Sequence, residues 1–146
     1  MNPSFSCTHE DVTRLVHGFY ERARSDDLLG PIFAAHVQDW PHHLDKMVDF
    51  WSSILQGSGR YQGSPMLAHT RLAGVQALHF QRWLQLFHQT TEQLGQPGLR
   101  AHADEIAQRI AQSLWYGYQI KAQPDQLPAA LTLTLGAARP GQARSV

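Results

Sequence analysis

Apolar residues recur along this chain at helical spacing, and glycine and proline cut that recurrence into lengths. Val12, Leu15, Val16, Phe19, Tyr20 and Ala23 fall at the three- and four-residue intervals that line one face of an α-helix. Leu44, Met47, Val48, Trp51, Ile54 and Leu55 repeat the pattern. So do Phe80, Trp83, Leu84 and Phe87, and then Ile106, Ala107, Ile110, Ala111, Leu114 and Tyr118. Each stripe must be buried against another element, so the stripes need one another. Leu131-Thr132-Leu133-Thr134-Leu135 alternates like a strand, but no second alternating run exists to pair with it. The chain is expected to be all-α.

Caps and breakers set the boundaries. Thr8 is a candidate N-cap, with Asp11 three residues later at the positive helix end. Ser25-Asp26-Asp27 ends that helix, and Pro31 opens a short apolar one through Phe33. Asp39 caps the second long helix and Pro41 is tolerated in its first turn. Gln56 to Gly63 is a glycine-rich loop; no Lys-Ser/Thr pair follows, so it is not a phosphate cradle. Ser64-Pro65 opens a very short helix that carries His69 and ends at Gly74. A third long helix is expected from about Gln76 to Leu94, stopped by Gly95 and Pro97, and a fourth from about Leu99 to Ile120. Residues 1–123 are expected to form one domain and 124–146 a flexible C-terminal tail.

Composition narrows the function classes. Twelve basic and twelve acidic side chains cancel, which leaves no field to draw the chain to nucleic acid or an anionic membrane. There is no apolar run long enough to span a bilayer. The first residues lack a basic region followed by an apolar stretch, so no signal peptide is expected. Cys7 is the single cysteine: it makes no internal disulfide, and Cys-x-x-Cys-His is absent. A reducing, cytoplasmic setting follows as the default.

Four residues stand out. His69 sits alone on the short helix after the glycine-rich loop; it is either a metal ligand or a decoration of a loop helix, and local sequence leaves both open. His43 starts at the border of the core in the first turn of its helix; His42 is adjacent, so one of the two must point away. Tyr20 and Trp83 are stripe aromatics whose polar hydrogens need partners if buried, though such residues are usually plain core. The aromatics Phe19, Phe33, Phe50, Trp51, Phe80 and Phe87 are either core or the wall of a flat cofactor slot. Nine histidines do not make a zinc site: no His-Glu-x-x-His, no His-x-x-x-His on one helix face and no cysteine cluster occurs. No Gly-x-Ser-x-Gly elbow supports a serine nucleophile. Glu21, Arg22, Arg24, Glu105 and Arg109 read as solvated helix faces.

Taken together, Phe19-Tyr20-Glu21, Asp27 to Phe33, Trp40-Pro41-His42-His43-Leu44, Phe50-Trp51, Tyr61 to Met66, His69, and His79-Phe80 with Trp83-Leu84 resemble the truncated haemoglobins, most closely their third group. The resemblance covers roughly residues 8–120. It implies a shortened globin fold, two helices stacked over two, around non-covalent haem b, and haem held by one proximal histidine is a globin and peroxidase arrangement. By position His69 is then the iron ligand, and Tyr20, His43 and Trp83 line the distal ligand pocket. Phe33, Met47, Phe50 and Tyr61 are expected to contact the cofactor. The implied ligands are oxygen, carbon monoxide and nitric oxide. Three functions follow as expectations: a haem protein for ligand chemistry or sensing; a haem-dependent peroxidase or nitric-oxide dioxygenase served by an external reductase; and a haem-free helical interaction module.

Overall fold

The computed structural model describes residues 7–61 and 74–132, in which five α-helices follow one another. They are α1 (His9–Ser25), α2 (Gly30–His36), α3 (Trp40–Gln56), α4 (Ala77–Leu94) and α5 (Pro97–Ala122). The short helix expected around His69 lies outside the described residues, as do Leu133 to Leu135 of the alternating run.

The start of α1 is fixed by side chains. Thr8 Oγ1 accepts the Asp11 N–H at 3.0 Å, and Asp11 Oδ2 accepts the Thr8 N–H at 3.0 Å, which closes a capping box. The other Asp11 oxygen accepts from Gln96 Nε2 at 2.8 Å, so the same carboxylate ties α1 to the turn between α4 and α5. Every residue of the expected α1 stripe is buried. Asp39 caps α3 by accepting from the His42 N–H at 3.1 Å. Pro97 belongs to the first turn of α5, where its missing N–H costs nothing, so that helix starts earlier than expected.

Helix α1 packs on both α3 and α4, α4 packs on α5, and α2 folds against α1. The helices α4 and α5 form a hairpin about Gly95, which ends α4 in the left-handed region at φ 71°. The core runs along Leu15, Val16, Phe19, Val48, Trp51, Leu84, Phe87, Ala107 and Ala111. Leu44, Met47, Ile54, Leu55, Ile106, Ile110 and Tyr118, expected inside, pack against it from its edge.

Polar groups in the α4–α5 seam pair with one another. Thr91 Oγ1 donates to Asp104 Oδ1 at 2.8 Å, and His88 Nδ1 meets Asp104 Oδ2 at 2.8 Å. Arg100 Nη2 lies 2.9 Å from His88 Nε2. A guanidinium only donates, so Nε2 accepts and the ring proton facing Asp104 is on Nδ1. Beyond α5 the chain turns back. Gln119 pairs its amide with both the N–H and the C=O of Ala129, at 3.0 and 2.8 Å. Gln112 does the same for Leu131, at 3.0 Å each. Leu131 is buried.

The corner from α1 to α2 is tight. A Cβ on Gly30 would stand 2.8 Å from the Arg24 carbonyl oxygen. Asp26 Oδ2 accepts the Leu28 and Leu29 N–H groups at 3.0 Å each, and Asp26 also faces Arg82 of α4 at 3.6 Å. The obstructing atom is backbone and cannot rotate away. We therefore expect Gly30→Ala to destabilise the fold by about 1–3 kcal/mol, the usual cost of overpacking. Urea unfolding checks this, and an unchanged midpoint would show that the corner has slack.

Candidate functional site

Four rings from three helices meet at the α1–α2 corner. Tyr20 of α1 lies edge-to-face with His43 of α3, ring centroids 5.1 Å apart at 85°. Phe33 of α2 closes on Tyr20 at 5.5 Å. Trp40, the first residue of α3, touches all three: Tyr20 at 5.8 Å, His43 at 5.5 Å and Phe33 at 6.1 Å. The local sequence accounts for this. Asp39 caps α3 just before Trp40, and His43 follows Trp40 one turn later on the same side. Of the adjacent histidines, His42 is exposed and His43 is half-buried.

A second group of rings leads away from Tyr20 through the core. Phe19 contacts Tyr20 at 4.9 Å and Trp83 at 5.3 Å. Trp83 stacks on Phe87 at 5.4 Å and 13°, and Phe87 stacks on Trp51 at 5.0 Å. Phe50 contacts Trp51 at 5.5 Å and Tyr61 at 5.0 Å. Thus Tyr20, His43, Phe33, Trp83, Phe50 and Tyr61 belong to one connected set of rings. Tyr20 and His43 touch directly, whereas Trp83 reaches Tyr20 through Phe19. Met47 packs on the core edge between the His43 and Phe50 turns of α3. His69 lies outside the described residues.

Burial raises the Tyr20 phenol above its ordinary value. It raises the Tyr61 phenol too, in a more open place. Tyr20 is therefore a hydroxyl donor and not a phenolate. Burial, and secondarily the Asp11 carboxylate, also raises the Cys7 thiol, which makes it a poor nucleophile. Among the described residues, no group of three or more histidines, cysteines and carboxylates could hold a metal ion.

Two contributors escaped the sequence reading. Trp40 stood inside a quoted motif without a role, and Arg24 read as a solvated face. The Arg24 guanidinium in fact lies over the Trp40 ring, 4.1 Å from its centroid. Arg22, read the same way, donates to the Gly18 carbonyl, Thr90 and Gln93 and so ties α1 to α4. The first pair carried a weak signal, a lone cation on α1 and a tryptophan at a helix start; no local pattern joins them.

The bacterial-like globin family matches residues 7–115. The chain belongs to that family, the truncated globins. It is 32% identical over 116 residues to the group 3 truncated hemoglobin ctb of Campylobacter jejuni, spanning 75% of this chain and 91% of that protein. The crystal structure of group III truncated hemoglobin from Campylobacter jejuni superposes with a TM-score of 0.70 at 31% identity, covering 75% of this chain and 89% of that one. The structure of Chlamydomonas reinhardtii THB1 does so with a TM-score of 0.60 at 31% identity, over 77% of this chain and 98% of that one. The all-α, two-over-two expectation therefore holds. Membership of the globins implies a haem-binding protein of diatomic ligands. Among the described residues no helix is long and apolar enough to cross a membrane.

The Tyr20 environment has a consequence for stability. Its phenol ionises at higher pH in the folded globin than in the unfolded chain. Between those two values the folded state binds more protons, so stability falls as pH rises. Its contribution is whole below about pH 10, the ordinary tyrosine value, and declines above it by about 1.4 kcal/mol per pH unit. We expect the stability difference between wild type and Tyr20→Phe to be flat from pH 7 to 9 and to shift against wild type at higher pH. Urea unfolding of both across that range checks this; a constant difference up to about pH 11 would mean that the phenol ionises freely.

Proposed function

We propose that this globin holds haem b without a covalent link, with His69 as the iron's protein ligand, and that Tyr20, His43 and Trp83 govern the binding of a diatomic gas. The observation that carries this reading is the direct contact of Tyr20 with His43 inside an apolar ring set. A flat apolar cofactor suits walls made of Phe33, Met47, Phe50 and Tyr61, all of them only partly buried by the protein itself. The donor set also fits: two polar hydrogens, on Tyr20 and Trp83, stand in a region otherwise lined by rings. When bound, ferrous haem supplies a place at which a diatomic gas takes on partial negative charge.

The chain's own residues then do the selecting. The buried Tyr20 hydroxyl keeps its proton and donates it in a charge-assisted hydrogen bond. Such a bond contributes about 1.5–3 kcal/mol, which lengthens ligand residence by roughly 10- to 100-fold. Trp83 adds an indole N–H. Two donors favour retention over release, so ligand chemistry or sensing fits better than bulk oxygen transport. Phe19 and Phe87 hold the Trp83 indole at a fixed tilt, and Trp40 and Tyr20 hold the His43 ring. The setting we assign is the cytoplasm. Turnover with peroxide, or of nitric oxide, driven by an external reductase would extend the reading to an enzyme.

Absorption spectra of the purified globin, before and after dithionite and carbon monoxide, test the cofactor directly. A Soret band is expected, and its absence would leave a haem-free interaction module. His69→Ala is expected to lose haem or bind it weakly; a variant with an unchanged ferrous spectrum would overturn the ligand assignment.

Tyr20→Phe removes the donor and keeps the ring. Oxygen dissociation should accelerate by about tenfold or more, the rate equivalent of one charge-assisted bond. Trp83→Phe should also change oxygen dissociation and move carbon monoxide dissociation much less, since bound carbon monoxide carries less charge on its oxygen. Stopped-flow measurement on both variants separates the roles. Parallel shifts for the two gases in Trp83→Phe would reduce Trp83 to a steric wall, and an unchanged oxygen rate in Tyr20→Phe would remove Tyr20 as the donor.

A further inference from the structure

The histidine at the mouth of the ring cluster is held by a device that the pocket itself does not require. Among the described residues His43 has two ring neighbours, each nearly at right angles to it, Tyr20 at 85° and Trp40 at 85°. Two such ring contacts restrict both the position and the tilt of an imidazole. Tyr20 belongs to the buried stripe of α1 and is fixed by the core. Trp40 packs on the core only from its edge: it is half-buried at the start of α3, and the Arg24 guanidinium lies over its ring.

Arg24 is well placed to act. It follows Tyr20 by one turn on α1, at the corner where its carbonyl oxygen leaves no room for a Cβ on Gly30. Its side chain is exposed. It also lines a solvent-facing cavity of about 340 Å³ between α1 and α3, with His17, Gly18, Tyr20, Glu21 and Leu44. Tyr20, itself in contact with His43, and Leu44, the residue after His43, both line it.

We propose that Arg24 and Trp40 form a cation–π latch that positions His43 and so sets the rate at which small ligands pass between α1 and α3 to the Tyr20 side of the pocket. This rests on the reading of His43 as a pocket residue. Trp40 and Arg24 are positioning residues: they act through the His43 ring. A guanidinium 4.1 Å from a ring centroid is inside the attractive range, and the positive charge is what the contact needs. Lysine keeps the charge; glutamine keeps much of the length and loses the attraction. With the latch open, Trp40 keeps only its ring contacts, and its hold on the His43 ring loosens.

The test uses the globin as purified, in wild type and in Arg24→Gln, Arg24→Lys, Trp40→Phe, His43→Leu and the Arg24→Gln/His43→Leu pair. Carbon monoxide association after flash photolysis is expected to rise about two- to fivefold in Arg24→Gln, the equivalent of about 0.5–1 kcal/mol for an exposed cation–π contact. Arg24→Lys should stay near wild type, and Trp40→Phe should fall between. In the His43→Leu background the Arg24→Gln change should add nothing. A wild-type rate in Arg24→Gln overturns the latch while leaving His43 as a gate if His43→Leu alone is faster. Acceleration that persists in full in the double variant overturns the route through His43. The ring protons of His43, followed in the diamagnetic carbon monoxide form, supply a readout independent of the gas kinetics. Packed against Tyr20 and Trp40, they should be displaced from those of exposed His42, and shift in Arg24→Gln. A His43 signal that stays put in that variant overturns the proposal whatever the gas kinetics show.

Discussion

The contacts on which this molecule depends are ring on ring. Tyr61, Phe50, Trp51, Phe87, Trp83, Phe19, Tyr20 and His43 touch in sequence, at centroid separations from 4.9 to 5.5 Å, and cross from α3 through α4 to α1 and back to α3. Aromatic pairs favour offset stacking or edge-to-face approach, and both kinds occur here. Each ring therefore restricts the tilt of the next. A domain this small has few residues to spare, so the rings that fill its core also form the walls of its candidate pocket. Packing and ligand geometry are one problem in this fold, and a change at Phe19 or Phe87 reaches Tyr20 or Trp83 without touching either functional atom.

That set of rings needs an abrupt corner to come together. Phe33 reaches Tyr20 only because α2 starts within a few residues of the end of α1. Asp26 makes the turn by accepting two successive backbone N–H groups, and Gly30 makes it tight by having no side chain against the Arg24 carbonyl. The Asp26 carboxylate is also the partner of Arg82 on α4, one residue before Trp83. One acidic side chain thus links the turn that delivers Phe33 to the helix that delivers Trp83. Gly18 has a related part: a Cβ there would come within 3.2 Å of the Thr90 methyl, so its absence lets α1 and α4 approach closely.

The fold was legible in the sequence to the extent that it is local. The α1 stripe, the Thr8–Asp11 box and the Asp39 cap are patterns within a few residues, and each is found as read. Gly95 as the end of α4 was equally plain. The site was legible only in part, because its members meet through tertiary contact. Tyr20 and His43 could be named by resemblance, but that they touch is a property of how α1 and α3 cross. Arg24 was missed because a cation on an outward face looks solvated until a ring from another helix covers it. Ser52, Thr90 and Thr91 were missed because buried hydroxyls look polar in a sequence. Each finds a nearby partner: Ser52 donates to the Asp49 carbonyl, Thr90 to the Leu86 carbonyl, and Thr91 to Asp104, with the His88 carbonyl 3.0 Å away.

The glycine-rich loop after α3 had no evident purpose in the sequence, and its contacts supply one. Gly57 and Gly59 take left-handed conformations, at φ 70° and 71°, which turn the chain back along α3. Serines then fasten it: Ser52 Oγ meets Ser58 Oγ at 2.8 Å, and Ser53 Oγ accepts the Tyr61 N–H at 3.0 Å. Arg60 reaches Asp49 at 3.3 Å and Ser52 at 3.1 Å. The result is a fixed Tyr61 against Phe50. On the far side of the segment that carries His69, the Val75 N–H donates to the Tyr118 hydroxyl of α5 at 3.2 Å. Both points at which that segment joins the described fold are therefore held by a side-chain hydroxyl bonded to a backbone N–H, one from α3 and one from α5.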